Sequence, residues 1–191
     1  MDTFLSIAIG IGLAAACGFR VFVPLLILNV AVLTGYLVLP DGFAWMGSVY
    51  ATIAFATATV CEILAYYVPW LDNALDTVAT PAAMIAGTLT SAAVFADISP
   101  FLKWTMALIA GGGIAGLVQA STVALRAKTS LTTAGMANPV FSTLELAGAI
   151  GTALLAIFIP IACLGLLLIF FIWVIRKAEN LLFSGTKSNR N

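Results

Sequence analysis

The chain begins with an apolar tract of 36 residues, Phe4–Leu39, in which Arg20 is the one charged residue. A second tract of the same length, Val140–Ile175, lies near the C-terminal end and contains Pro160. A helix rises about 1.5 Å per residue, so each tract is too long for one crossing of the roughly 30 Å apolar core of a bilayer. Each is therefore predicted to form two helical segments, with breaks near Gly18 and at Pro160.

The composition places most of the chain in a bilayer. Hydrophobic residues make up 62% of the sequence and charged residues 8%, and the mean hydropathy is +1.13. Soluble domains have roughly 45–50% apolar and 25% charged residues. The sequence therefore predicts an all-α polytopic integral membrane protein. Eight basic and eight acidic residues give no net charge, which argues against nucleic acid as a partner because phosphate binding needs a basic field.

Apolar runs between turn residues define seven candidate membrane segments. They cover residues 4–17, 20–39, 45–68, 77–95, 101–125, 140–159 and 160–175. A five-segment arrangement is also open, in which 4–17 and 138–159 do not cross fully, since 14 residues span only about 21 Å. Both arrangements include broken or re-entrant helices. The sequences of Val21–Pro40 and Val140–Pro160 resemble each other, which suggests an internal repeat. Such repeats are common in transporters.

The charged residues at the C-terminal end predict the orientation of the chain. We expect one transmembrane helical domain over residues 1–178 and a polar cytoplasmic tail over 179–191. Four basic residues lie at this end: Arg176, Lys177, Lys187 and Arg190. Basic residues are enriched on the cytoplasmic side of membrane proteins. The expected location is therefore the inner (plasma) membrane, with several passes and a cytoplasmic C-terminus.

A small set of polar residues interrupts the apolar runs. Glu62 lies inside the third run, where a carboxylate facing hydrocarbon costs roughly 2.5–3.5 kcal/mol, so it normally faces protein or water and marks function. Helix rise places Glu62, Gln119 and Glu145 at a similar depth, and Arg20 lies at the break of the first tract. The predicted substrate-binding or ion-binding residues are Arg20, Glu62, Gln119, Glu145, Asp72, Asp76 and Asn138.

Two interpretations of these polar residues remain open. In the first, the protein transports a small ion or polar solute, with Asp72 and Asp76 at the cytoplasmic entrance of the site. Two carboxylates and one arginine leave a carboxylate to spare, which would bind a cation or take up a proton. In the second, Arg20 pairs with a glutamate and only locks the helices. A related alternative is a lipid-binding or scaffold protein in which Arg20 contacts a lipid phosphate.

Other motifs argue against enzymatic chemistry. Asp72 and Asp76 resemble the aspartate-rich signature of membrane prenyltransferases, but the second such motif is absent. The sequence has no His and three widely spaced Cys, so no cofactor is expected and no metal is assigned. The pattern GxGxxG at 111–116 lacks a neighbouring strand and is not read as a dinucleotide site. Gly112 and Gly116 instead predict close helix packing, and with it a homo-oligomer.

Four separated stretches carry a family resemblance. They are Ala15–Pro24; Glu62 with Pro69, Asp72 and Asp76; Thr80-Pro81; and Asn138-Pro139 with Ser142 and Glu145. Together they resemble, over nearly the whole chain, the bacterial membrane family of domain of unknown function 4126. The resemblance implies no established activity. The chain departs from the family pattern at Tyr66 and Tyr67, where an Asp-Lys pair is frequent, and at Leu146, where a second acid often follows the Glu145 position.

Overall fold

The structure is a computed structural model that describes residues 2–66, 69–133 and 138–187, with side chains for 2–66, 77–129 and 139–177. Every regular element in these ranges is helical. The α-helices are α1 Thr3–Cys17, α2 Phe22–Leu33, α3 Val49–Ala65, α4 Pro69–Val94, α5 Pro100–Met106, α6 Gly113–Thr133, α7 Asn138–Phe158 and α8 Pro160–Lys187. A 3-10 helix precedes α3 at Asp41–Gly47, and a π-helical segment joins α5 to α6 at Ala107–Gly112.

Four stretches of the described chain are long and apolar enough to cross a membrane. They are Thr77–Val94, Pro100–Thr129, Pro139–Phe158 and Pro160–Lys177. A fifth crossing is present if the 3-10 helix and α3, bent by 60°, form one broken span. The 15 residues of α1 and the 12 of α2 are apolar but shorter. The prediction of an all-α polytopic membrane protein with broken helices is confirmed, at the lower end of the predicted number of segments.

Helix α1 lies at the centre of the molecule. It packs against α4, α6, α7 and α8, and residues on all sides of it are buried. A helix that is apolar around its whole circumference needs such an interior position. Two glycines bring its neighbours close: a Cβ at Gly10 would lie 2.6 Å from the Phe95 ring, and one at Gly12 would lie 2.5 Å from Ala156.

Helices α1 and α2 form a re-entrant hairpin, inserted from one end of the bundle. Near the start of α1, Ser6 Oγ accepts a hydrogen bond (3.2 Å) from the backbone N–H of Ala96, just beyond α4. After α2, the Tyr36 ring lies 4.9 Å from that of Phe158, the last residue of α7. The break between the two helices instead contacts Glu62 near the end of α3. The chain therefore crosses towards the α3–α4 end of the bundle and returns to the opposite end.

The predicted segment 20–39 is wrong in length, because α2 ends at Leu33. The N–H of Tyr36 donates to Ala31 O (2.8 Å) and that of Gly35 to Val32 O (3.0 Å), and Gly35 has φ +76°. This is a Schellman motif, which ends a helix at a left-handed glycine whatever the hydropathy of the following residues. Of the two short segments in the five-segment arrangement, 4–17 corresponds to the short helix α1, but 138–159 is wrong, because α7 is a full-length candidate span.

The second arm of the hairpin is tied to the bent span by Asn29. Its Nδ2 donates to Met46 O (2.6 Å) and Ser48 O (3.2 Å), and its Oδ1 accepts from Thr52 Oγ1 (2.8 Å). These bonds satisfy carbonyl groups at the bend, where helical hydrogen bonding is interrupted. Asn29 thereby links α2 to both halves of the broken span.

Gly112 and Gly116 pack within the chain, contrary to the role in an oligomer that the sequence predicted for them. A Cβ at Gly112 would lie 2.6 Å from Thr88 Oγ1, and one at Gly116 would lie 2.9 Å from Met84 Cγ, both on α4. The close approach predicted from small residues is present, but α4 of the same chain occupies that face. These glycines are therefore not free to pack against a second copy.

Two other sequence expectations concern the C-terminal part. Helix α8 continues to Lys187, so the predicted polar tail 179–191 begins as an extension of this helix; its last four residues lie outside the described ranges.

The two stretches compared as an internal repeat form helices of different length, 12 residues in α2 and 21 in α7. The repeat therefore stays a prediction.

We predict that Gly87→Ala destabilises the bundle. A Cβ there would lie 2.8 Å from Gly111 O and 2.6 Å from Ala115 Cβ, neither of which can move without its backbone. Overpacking of this kind costs about 1–3 kcal/mol. Thermal unfolding in detergent should show a lower Tm, whereas Gly151→Ala, with no atom within 4 Å of the new Cβ, should keep the wild-type Tm. Equal melting temperatures for both variants would contradict the close α4 packing.

Candidate functional site

The Glu62 carboxylate binds the N-terminus of α2 at the tip of the hairpin. Its Oε1 accepts a hydrogen bond from the Val21 N–H (2.8 Å) and its Oε2 one from the Phe22 N–H (3.1 Å). The first N–H groups of a helix have no partner within that helix, and its N-terminus carries a partial positive charge. Pro24 lies in the first turn, where its missing N–H is tolerated. Glu62 on α3 therefore caps the N-terminus of α2, where the N-cap residue provides no side-chain hydrogen bond.

The Arg20 side chain lies at the same tip and is 1% exposed. Its Nη2 donates to Ser142 O (3.0 Å) and Ser142 Oγ (2.5 Å) on α7, and lies 3.8 Å from Glu145 Oε2. Its Nε and Nη1, which carry three hydrogens, have no hydrogen-bond partner among the described residues. An unsatisfied buried donor costs about 1–3 kcal/mol, and more when it is charged, so this guanidinium has unused capacity to bind an acceptor.

Glu145 joins Arg20 to a second arginine that the sequence analysis did not include. Arg126 on α6 is 3% exposed, and its Nη2 donates to Glu145 Oε2. The Tyr66 ring contacts both guanidinium groups, with its centroid 3.8 Å from Arg20 Cζ and 4.6 Å from Arg126 Cζ. Cations are attracted to the faces of aromatic rings. Tyr66 is thus a neutral partner for two cations.

The sequence contains a pattern that indicates an inward-facing Arg126. It lies seven residues, or two helical turns, after Gln119, so the two share one face of α6. Both side chains are buried, as is Thr122 between them. Arg126 directly follows the predicted segment 101–125 and was not among the predicted site residues, because a basic residue after a long apolar run usually lies at the membrane surface.

The structure brings together some of the predicted residues and leaves others apart. Arg20 and Glu145 are in contact, and Glu62 interacts electrostatically with both of them. Gln119 is 2% exposed on the face of α6 that the hairpin break contacts through Gly18, where a Cβ would lie 2.5 Å from Val118 Cβ. The side chains of Asp72, Asp76 and Asn138 lie outside the described part of the chain.

The second arginine changes the charge balance of the site. Among the described side chains, the two positive charges of Arg20 and Arg126 match the two negative charges of Glu62 and Glu145. The sequence analysis counted one arginine and inferred a spare carboxylate for a cation or proton. That count is wrong, since Glu145 is paired with Arg126. The burial of Arg20 also separates it from the outer surface, where a lipid phosphate would lie.

Three cavities lie between the helices, with volumes of about 400, 150 and 430 Å³. Their walls are predominantly apolar, and none of the three includes Arg20, Glu62 or Glu145. Within the described ranges there is also no group of three or more metal-ligating side chains. The charged side chains of the site are therefore bonded chiefly to one another and to backbone groups, apart from these three apolar cavities.

Comparison with known proteins assigns the chain to a family. The model of the family described as Domain of unknown function (DUF4126) matches residues 7–179. The chain belongs to this family. The match includes α1 to α7 almost entirely and the first part of α8, and so contains all of the charged site. No curated protein and no solved structure matches the chain.

We predict that Glu145→Gln strongly destabilises the protein, because it leaves two buried guanidinium groups without their shared carboxylate. Breaking a buried ion pair costs about 3–5 kcal/mol, which lowers the Tm of a protein of this size by roughly 6–20 °C. The measurement is thermal unfolding in detergent, with Asp41→Asn as the matched change at an exposed carboxylate.

The double variant Glu145→Gln with Arg126→Gln tests the pairing directly. Neighbouring groups show coupling of about 0.5–3 kcal/mol in a double-mutant cycle. The double variant should therefore be more stable than the sum of the two single losses predicts. Strict additivity would show that Glu145 and Arg126 do not act as a pair.

Proposed function

We propose that this protein moves a small ion or polar solute across the membrane, through the charged site at the tip of the α1–α2 hairpin. The observation that carries the proposal is the convergence of charged side chains from the hairpin break, α3, α6 and α7 at the hairpin tip, where Arg20, Arg126 and Glu145 are buried and Glu62 is half-buried. Buried charges are expensive inside a membrane protein, and in such proteins they mark ion and substrate pathways.

The hairpin itself supports a transport role. Many transporters bind substrate near the middle of the bilayer at discontinuous helices, where freed backbone N–H groups and helix ends form the site. Here the break between α1 and α2 lies beside Glu62 and Tyr66, and the Tyr66 ring joins it to Arg126. In the proposed function, displacement of the hairpin tip opens the path.

The distribution of basic residues supports an orientation. Exposed basic residues near the end of α6 (Lys128) and near the end of α8 (Arg176 and Lys177) lie towards the α3–α4 end of the bundle. Lys103 belongs to α5, at the opposite end. Since basic residues favour the cytoplasmic side, we propose a multi-pass protein of the plasma membrane with a cytoplasmic C-terminus. We also propose a homo-oligomer, through a surface other than Gly112 and Gly116, and no catalytic activity.

We predict that Arg20→Gln strongly slows transport. Purified protein in liposomes should be assayed for flux of common cations and common anions. Loss of a charge-assisted hydrogen bond of about 1.5–3 kcal/mol to the permeating species should reduce the rate roughly 10- to 100-fold. Arg176→Gln makes the same chemical change at an exposed position on α8 and should retain wild-type flux.

Absence of flux from a folded wild-type protein would contradict transport. It would favour the lipid-binding or scaffold alternative, which native mass spectrometry of retained lipids can test. Equal flux from wild type and Arg20→Gln would exclude the hairpin tip as the pathway.

A further inference from the structure

We infer that the transported species is a small monovalent anion, and that it binds at the N-terminus of α2 in the place that the Glu62 carboxylate occupies in this structure. The inference rests on the proposed transport function and names its substrate class. Halides and small oxyanions such as nitrate and formate share the chemistry that this position recognises, namely one negative charge and acceptor atoms without donors.

The first support is the nature of the group that Glu62 binds. A carboxylate with one hydrogen bond to Val21 N–H and one to Phe22 N–H is an anion at a helix N-terminus, covalently attached to α3. Helix N-termini bind free anions through the same N–H groups and the same dipole. The position is therefore an anion site whose present occupant is a side chain of the protein.

The second support is independent of the helix terminus. Arg20 directly precedes these two N–H groups, is 1% exposed, and has Nε and Nη1 without hydrogen-bond partners. Thr59 lies one turn before Glu62 on α3, is 8% exposed, and its Oγ1 also has no partner among the described residues. Buried donors of this kind are normally satisfied. A free anion at the two N–H groups, unlike the Glu62 carboxylate, is not tied to the backbone of α3, so it can shift towards Arg20 and accept the hydrogen bonds that Glu62 leaves unmade.

The charges at the site favour an anion over a cation. When Glu62 swings away from the tip, Arg20, Arg126 and Glu145 remain, with a net charge of +1 among the described side chains. The partial positive charge of the α2 N-terminus adds to it. A cation would need oxygen ligands, and Glu145 Oε2 is already engaged by a guanidinium group. One monovalent anion restores the balance that Glu62 provides in this structure.

The size of the species follows from the place that it takes. An anion that replaces the Glu62 carboxylate at the Val21 and Phe22 N–H groups occupies the volume that this carboxylate vacates. Formate has the same functional group, and chloride and nitrate are similar in size. Gluconate carries the same charge on a much larger body and serves as the negative control.

Anion binding is tested first without transport. In Glu62→Gln the side chain loses its charge and no longer competes, so chloride, nitrate or formate, as potassium salts at a few times the Kd, should raise its Tm by about 2–4 °C relative to gluconate. Wild type and Asp41→Asn should show a much smaller shift. The double variant Glu62→Gln with Arg20→Gln should show none, and a shift as large as in the single variant would contradict the site.

If Glu62→Gln does not fold, Glu62→Asp provides the same test. Its carboxylate is one methylene shorter and no longer reaches both N–H groups, so the anion-dependent rise in Tm should again exceed that of the wild type. An identical response of Glu62→Asp and wild type would overturn the competition between Glu62 and the anion.

Flux in liposomes then separates this inference from the proposed function. Glu62→Gln should carry chloride, nitrate or formate about tenfold faster than wild type, because removal of a competing carboxylate contributes at least 1.4 kcal/mol, while potassium flux stays at the level of empty liposomes. Arg20-dependent flux of cations alone would overturn the anion inference and leave transport standing. No flux of any species, together with an anion-dependent rise in Tm, would reject transport and retain the anion site.

Discussion

The capping of α2 by Glu62 is the interaction on which the centre of the molecule depends. A helix that starts inside an apolar bundle exposes N–H groups that neither lipid nor neighbouring helices can satisfy without a polar side chain. Glu62 reaches them from α3, so the break between α1 and α2 can lie deep in the bundle. Without it, α2 would begin with unsatisfied N–H groups, which would destabilise the break that follows α1, the helix against which four others pack.

The other charged residues of the site are arranged in sequence beside the Glu62 carboxylate. Arg20 lies beside the cap, Glu145 offsets Arg20, and Arg126 offsets Glu145, so that the helices after the hairpin are drawn into one network. Tyr66 covers both guanidinium groups with an aromatic face and adds no charge. The charges of the network are balanced, but Arg20 Nε and Nη1 have no hydrogen-bond partner among the described residues. The proposed exchange of an occupant rests on these two groups, since a static ion-pair lock has no use for them.

Much of the architecture could be read from the chain in advance. Hydropathy and composition predicted an all-α membrane protein, and the helix break after Cys17 and the one at Pro160 were located correctly. Hydropathy wrongly predicted that the helix continues through residues 34–39. A left-handed glycine, Gly35, and the hydrogen bonds around it end α2, and hydropathy does not detect such a signal. Gly112 and Gly116 were recognised as a packing face, but a pattern on one helix does not say whether its partner is in the same chain.

The candidate site, like the fold, could be predicted from the sequence only in part. Arg20, Glu62 and Glu145 could be selected from sequence alone, since a charged residue inside an apolar run is costly enough to need a reason. Their partners could not, because pairing depends on how separate helices rotate and approach each other. The sequence by itself determined which residues had to be removed from lipid. Only the tertiary structure decided that Glu62 binds backbone N–H groups rather than Arg20, and that Arg126 faces inward to complete the charge balance.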